Sequence, residues 1–130
     1  MTGQAGAGPA RSATLSTHVL DATAGRPAAG VPVRLERRGP DGWSVAGEGQ
    51  TDADGRLRFG SGPGSAPASG PGFEPGVYRI TFASGAYFEA LGTASFYPEI
   101  TVTFEMTGDG GHYHVPLLLS PFAYSTYRGS

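Results

Sequence analysis

Three histidines, His18, His112 and His114, are the only side chains of this sequence whose ordinary pKa lies near neutrality, and they stand near its two ends. His112 and His114 are alternate residues, so on a strand both imidazoles project from one face. That spacing suits a His-x-His metal pair. Only His18 could join as a third nitrogen ligand, however, and no carboxylate adjoins the pair, so metal is the weaker reading. Taken singly, each histidine is also compatible with a half-buried surface position. Ser16, Ser125 and Ser130 offer hydroxyls, but none sits in a Gly-x-Ser-x-Gly elbow, which argues against a serine-triad hydrolase. All nine basic residues are arginine, so Schiff-base lysine chemistry is excluded. Cysteine is absent, and with it any disulfide or thiolate metal site.

Strands must hold these residues. Alternation from His112 puts Tyr113, Val115, Leu117 and Leu119 on one face as core, and His112, His114 and Pro116 on the other. Strand-forming residues continue almost to the end of the chain, interrupted only at Pro121, so the C-terminus is expected to be tied down, with a short return strand from Tyr124 to Arg128. Near the other end, Thr14 to Leu20 alternates with Leu15, Thr17 and Val19 inward and Ser16, His18 and Leu20 outward. Val31 to Arg37, Trp43 to Gly49, Arg56 to Phe59, Val77 to Ala83 and Glu99 to Met106 read as further strands, separated by Asp/Gly turns. In the last of these Ile100, Val102, Phe104 and Met106 are all expected inward. Arg56 and Arg58 share a face, and alone Arg56 reads as a solvated arginine after a turn.

Residues 86–92 carry the one helical spacing, Tyr87, Phe88 and Leu91, with Gly92 to stop it. Gly60 to Gly76 is too rich in Gly, Pro, Ser and Ala for a regular element and predicts a long mobile surface loop. The total, about eight short strands and one brief helix, predicts an all-β fold, an antiparallel β-sandwich. Residues 1–13 are expected to be a disordered leader and 14–130 one domain. A net charge of -2 gives no basic footprint, which argues against nucleic acid as a partner. No apolar run approaches the roughly 20 residues of a membrane-spanning helix, and Met1 to Ala13 lacks an apolar signal-like stretch. A cytoplasmic location away from membranes is the expectation.

Several segments together carry a resemblance. They are Leu15-Ser16-Thr17-His18-Val19-Leu20-Asp21, Gly25-Arg26-Pro27-Ala28, Thr51-Asp52-Ala53-Asp54-Gly55-Arg56, Phe96-Tyr97-Pro98-Glu99, His112 to Pro121 and the closing Tyr127-Arg128-Gly129-Ser130. From about Leu15 to Ser130 the chain resembles the 5-hydroxyisourate hydrolases, transthyretin-related enzymes of urate breakdown. The closing tetrapeptide is the specific part, since it separates these hydrolases from the hormone carrier transthyretin. The resemblance implies transthyretin-like sandwiches in a homotetramer, a dimer of dimers, with active sites in a channel between them. It also implies His18, Arg56 and His114 as catalytic residues and Tyr127, Arg128, Gly129 and Ser130 as substrate-binding ones; His112 carries no such role.

The implied reaction is hydrolytic opening of 5-hydroxyisourate at its N1–C6 amide, giving 2-oxo-4-hydroxy-4-carboxy-5-ureidoimidazoline without a cofactor. It needs a base for water, a group for the developing oxyanion and a holder for a flat polar substrate. Either His18 or His114 could be the base. Two rivals stand beside this reading. A transthyretin-like carrier would bind an aromatic ligand in the channel, though two histidines and an arginine make an odd lining for an apolar one. A structural adhesion-type sandwich would account for the middle of the chain but not for its C-terminus.

Overall fold

The alternating patterns resolve into two packed sheets in the computed structural model, which describes residues 13–60, 65–66, 73–108 and 111–129. In chain order the elements are β1 (Ala13–Asp21), β2 (Arg26–Pro27), β3 (Pro32–Gly39), β4 (Gly42–Gln50), β5 (Arg56–Phe59), β6 (Ser65–Ala66), β7 (Gly76–Phe82), α1 (Ser84–Ala90), β8 (Ile100–Met106), β9 (Gly111–Leu119) and β10 (Tyr124–Thr126). One sheet runs β10-β9-β1-β5-β6, with β2 paired to β1, and the other runs β4-β3-β7-β8. The sandwich class holds. Its most extensive pairing is nevertheless parallel: β1 and β9 match residue for residue from Ala13 opposite Gly111 to Asp21 opposite Leu119. Parallel strands need a long connection, and here it is nearly the whole chain.

The inner face of this pair is the centre of the core. Leu15, Val19 and Leu117 are fully buried, as are Leu35, Ile80 and Phe82 of the opposing sheet. Thr17, also buried on β1, donates its hydroxyl to the Val115 carbonyl at 2.6 Å, so the polar group inside is satisfied. Asp21 closes β1 with both carboxylate oxygens in use: Oδ1 accepts from the Thr23 and Ala24 amides, and Oδ2 accepts from the Tyr87 hydroxyl of α1 at 2.8 Å. Burial and that hydrogen bond push the Tyr87 hydroxyl up to about 12, so the helix stays tethered at any ordinary pH.

Several expectations are corrected. The helix covers Ser84–Ala90 rather than 86–92, although Gly92, at φ +70°, does mark its end. Val102 and Phe104 are only half-buried, unlike Ile100 and Met106 on the same face of β8, because both line an open cavity with His114, Tyr127 and Arg128. The return strand stops at Thr126, short of Arg128. Gly60 to Gly76 is not without regular structure: Ser65–Ala66 pairs with Arg58 and Phe59 of β5, and Phe73 is buried and bridges to Ala13. Residues 61–64 and 67–72 of that loop, like residues 1–12 of the expected leader, lie outside the described residues, while Ala13, placed in that leader, is the buried first residue of β1. Among the described residues no helix is long and apolar enough to cross a membrane.

Leu117 sits in the β1·β9 seam opposite Val19, with no exposed surface. Leu117→Ala is expected to cost about 2–5 kcal/mol of stability by leaving a cavity there, measured by urea unfolding; a loss under about 1 kcal/mol would mean that this seam does not hold the sandwich together.

Candidate active site

Strand pairing brings the two ends of the sequence to one place. Ser16 of β1 stands opposite His114 of β9, and His18, two residues on, stands opposite Arg56 of β5. Opposed residues in a sheet share a face, so Ser16, His18, Arg56, His112 and His114 all project from the outer side of the six-stranded sheet.

The turn before β5 is built to deliver Arg56. Asp52 Oδ1 accepts from the amides of Asp54 and Arg56, both at 2.9 Å, and Gly55 takes φ +74°. A Cβ at Gly55 would lie 2.4 Å from the Val19 carbonyl oxygen, so only glycine lets the turn come this close to β1. The same turn fixes His18, whose Nε2 lies 3.0 Å from the Asp54 carbonyl oxygen. A carbonyl can only accept, so His18 carries its proton on Nε2 and leaves Nδ1 for other chemistry.

The C-terminal segment closes the other side. Thr126 donates its hydroxyl to the Pro116 carbonyl at 2.6 Å, and the Gly129 amide donates to the His114 carbonyl at 2.8 Å. A Cβ on Gly129 would meet His114 Cδ2 at 2.5 Å, so the tail lies flat on the imidazole because residue 129 has no side chain. Arg128 stacks over the Tyr113 ring at 4.8 Å, and Tyr127 is exposed. Ser130 lies outside the described residues. The chain end is thus tied to β9 as expected, through the Thr126 hydroxyl and the Gly129 amide rather than by burial of its side chains.

His114 is joined to its surroundings through a hydroxyl. Ser16 Oγ is 2.8 Å from His114 Nδ1 and 2.7 Å from His112 Nε2, while Thr14 Oγ1 is 2.6 Å from His112 Nδ1. Among the described residues no cluster of three metal-ligating side chains occurs, and the hydroxyls occupy both nitrogens of His112. A polar groove of about 430 Å³ runs beside this cluster, lined by Ser16, Asp52, Arg56, Leu57, Arg58 and His112. A second, apolar cavity of about 240 Å³, reached by His114, Tyr127 and Arg128, opens toward Val102 and Phe104 of β8. The polar groove holds Arg56 and His112, whereas His114 lines the apolar cavity together with Glu105, Thr126, Tyr127 and Arg128.

The family model described as "HIUase/Transthyretin family" matches residues 15–129. This chain belongs to that family. It is 47% identical over 121 residues to the 5-hydroxyisourate hydrolase of Salmonella typhi, covering 93% of this chain and 84% of that one. The solved 5-hydroxyisourate hydrolase of Klebsiella pneumoniae superposes with a TM-score of 0.74 at 35% identity, over 91% of this chain and 99% of that one. Transthyretin from Sparus aurata superposes comparably, at TM-score 0.77 and 34% identity over 88% and 95% of the two chains. The HIUase/transthyretin fold therefore serves two differently named proteins, and function has to be read from the site.

Of the residues the sequence pointed to, His18, Arg56, His114 and Gly129 come together, with Tyr127 and Arg128 at the margin. Ser16 and His112 complete the cluster, although the sequence pointed to Ser16 only as an isolated hydroxyl and to His112 only as half of a metal pair or a residue outside the catalytic set. The missing signal was register: only the parallel pairing of β1 with β9 puts Ser16 between the two imidazoles. Burial, followed by the nearby His112, His18 and Arg56, holds the His114 pKa below the ordinary histidine value. Between that lowered value and about 6.5 the unfolded chain binds more protons than the folded one. Stability is accordingly expected to rise with pH through this window and to be complete above it. Thermal melts of wild type and His114→Gln from pH 5 to 8 check this, the variant having the shallower slope; equal slopes would contradict the shift.

Proposed function

We infer that the chain hydrolyses 5-hydroxyisourate, opening its six-membered ring at the N1–C6 amide in the breakdown of urate. The observation that carries the inference is two imidazoles and a guanidinium, His18, His114 and Arg56, on one outer sheet face beside a polar groove, in a chain 47% identical to a 5-hydroxyisourate hydrolase. A carrier for an apolar ligand has no need of that set, and its desolvation would weaken binding.

In this reading His114 is the base. Its depressed pKa keeps it neutral at physiological pH, and its Nε2 has no hydrogen bond among the described residues. It takes a proton from water as the oxygen attacks the ring carbonyl carbon, and the carbonyl electron pair moves to oxygen. Arg56 faces that developing negative charge with its fork of donors. On collapse the carbon–nitrogen bond breaks, and His18 gives the leaving nitrogen a proton from Nδ1, which the newly formed carboxylic acid then replaces. The Nε2–H bond of His18 to the Asp54 carbonyl persists in both protonation states, which suits a donor. The tail from Tyr127 to Ser130 shapes the substrate's berth, and no cofactor takes part.

A homotetramer, a dimer of dimers, belongs to the same reading. Phe96, Phe122, Tyr124 and Tyr127 are 69%, 66%, 41% and 59% exposed. Phe96 and Tyr124 both pack on Tyr97, with ring centroids 4.9 and 5.2 Å away, so part of this apolar surface is contiguous. Surface of that kind marks an interface, and a second copy set against it would deepen the open groove into a channel.

The test is the ultraviolet decay of 5-hydroxyisourate generated in place from urate. Wild type is expected to accelerate it, whereas His114→Ala and Arg56→Gln lose on the order of 100-fold to 10,000-fold while remaining folded. A folded wild-type protein that only matches the spontaneous rate would end the hydrolase reading and favour a carrier.

A further inference from the structure

Arg58 has no part in the chemistry above, yet it stands at a corner of the site that the chemistry leaves open. On β5 it is two residues beyond Arg56, so both side chains leave the same outer face, with their Cα atoms about 7 Å apart. Across the sheet Arg58 is opposite Ser16 and Ser16 is opposite His114, which makes one row; Arg56, His18 and Pro116 make the next. Neighbouring strands lie about 4.8 Å apart, so Arg58 and His114 flank β1 with their backbones about 10 Å from each other. A flat ring system laid over Ser16 would meet His114 at one edge and Arg58 at the other.

The Arg58 guanidinium is also uncommitted. Four other arginines are engaged: Arg34 and Arg79 on Glu36, Arg37 on Glu74 and the Pro75 carbonyl, and Arg128 over the Tyr113 ring. Among the described residues the side chains of Arg56 and Arg58 make no hydrogen bond, ion pair or ring contact. Arg26 and Arg38 make none either, but neither lines the polar groove, where Arg56 and Arg58 stand together. The one acid among the residues lining that groove is Asp52, whose Oδ1 already accepts from two amides. Two guanidinium charges against one partly occupied carboxylate leave the groove positive, with a surplus of hydrogen-bond donors.

We propose that Arg58 is a substrate-binding residue: with Arg56 it makes a two-guanidinium berth for a flat heterocycle edged with carbonyl oxygens, Arg56 at the attacked carbonyl and Arg58 at the edge remote from it. The proposal rests on the hydrolase reading and deepens it. A bicyclic ureide has its oxygens at separated corners of the molecule, and a planar guanidinium meets such an edge with two parallel donors. Both arginines stay charged across the working pH range, so the berth favours anions of this shape as well. Arg58 touches no reacting atom. It binds ground state and transition state alike, and its loss falls on KM and not on kcat. A merely solvated arginine on an exposed strand would change neither.

The deciding experiment uses the full chain, Arg58→Gln, Arg58→Lys and Arg38→Gln, the last a control for net charge because exposed Arg38 lies outside the groove. Steady-state kcat and KM on 5-hydroxyisourate are combined with calorimetric titration of urate, a flat purine anion, at low and high salt. Arg58→Gln is expected to raise KM about 10-fold with kcat within about two-fold. Urate affinity should fall by a similar factor, and its salt dependence should flatten as one charge is lost. Arg58→Lys keeps the charge and the aliphatic stem but not the fork, so it should fall between wild type and Arg58→Gln; it carries the test should the glutamine variant fold poorly. Arg38→Gln should match wild type in KM and in urate affinity.

Wild-type KM and urate affinity in Arg58→Gln would overturn the berth, as would an equal weakening in Arg38→Gln. A fall in kcat at unchanged KM would overturn it too, by placing Arg58 at the reacting centre. A wild type that binds urate but does not open 5-hydroxyisourate would sink the hydrolase reading alone, and the urate affinity of Arg58→Gln would still decide the berth. A folded wild type inert to both would overturn both.

Discussion

Everything at the site depends on the parallel pairing of β1 with β9. Nine matched residue pairs join segments about a hundred residues apart in the chain, and the inner side of the seam is buried apolar surface. The same register that buries Leu15, Val19 and Leu117 sets Ser16 against His114 on the outside. Because side chains alternate across a strand, a slip of one residue would turn the histidines inward and the leucines to water. Core stability and site geometry are thus held by one constraint. The hydrophobic side supplies the energy that keeps the polar side in place, a better arrangement for chemistry than a site on loops.

Two glycines carry this constraint outward. Gly55 brings the Asp52 turn against Val19, which fixes both Arg56 and the His18 proton, and Gly129 lets the tail lie on the His114 ring. Neither position tolerates a Cβ without moving the groups around the site. The electrostatics follow from the packing: burial first, and then the neighbouring His112, His18 and Arg56, disfavour the charged form of His114, which therefore stays neutral where an isolated histidine would begin to charge.

Much of the fold was legible because period-2 alternation over Thr14 to Leu20, Glu99 to Met106 and His112 to Leu119 is a direct statement about burial. Alternation speaks of faces and not of partners, so it left open that β1 and β9 are neighbours and that they run parallel. For the same reason Ser16 and His112 looked unconnected, since their link exists only across the seam. A cavity is equally silent in a sequence: Val102 and Phe104 have the pattern of core residues but line an open cavity beside His114. The Gly/Pro-rich segment misled in the opposite sense, because composition argued for a bare loop where Ser65–Ala66 extends the sheet and Phe73 enters the core. His18, Arg56 and His114 could be named together only through resemblance, since their spacing in the chain implies no proximity.

The central claim is that residues from the two chain ends act as a single catalytic unit. A double-mutant cycle on kcat/KM with His18→Ala, His114→Ala and the double variant tests it most directly. Groups that work on the same transition state are not additive, so the double variant should be little slower than the slower single variant. Losses that simply multiply would contradict the claim and leave the two histidines as independent contributors that share a sheet face.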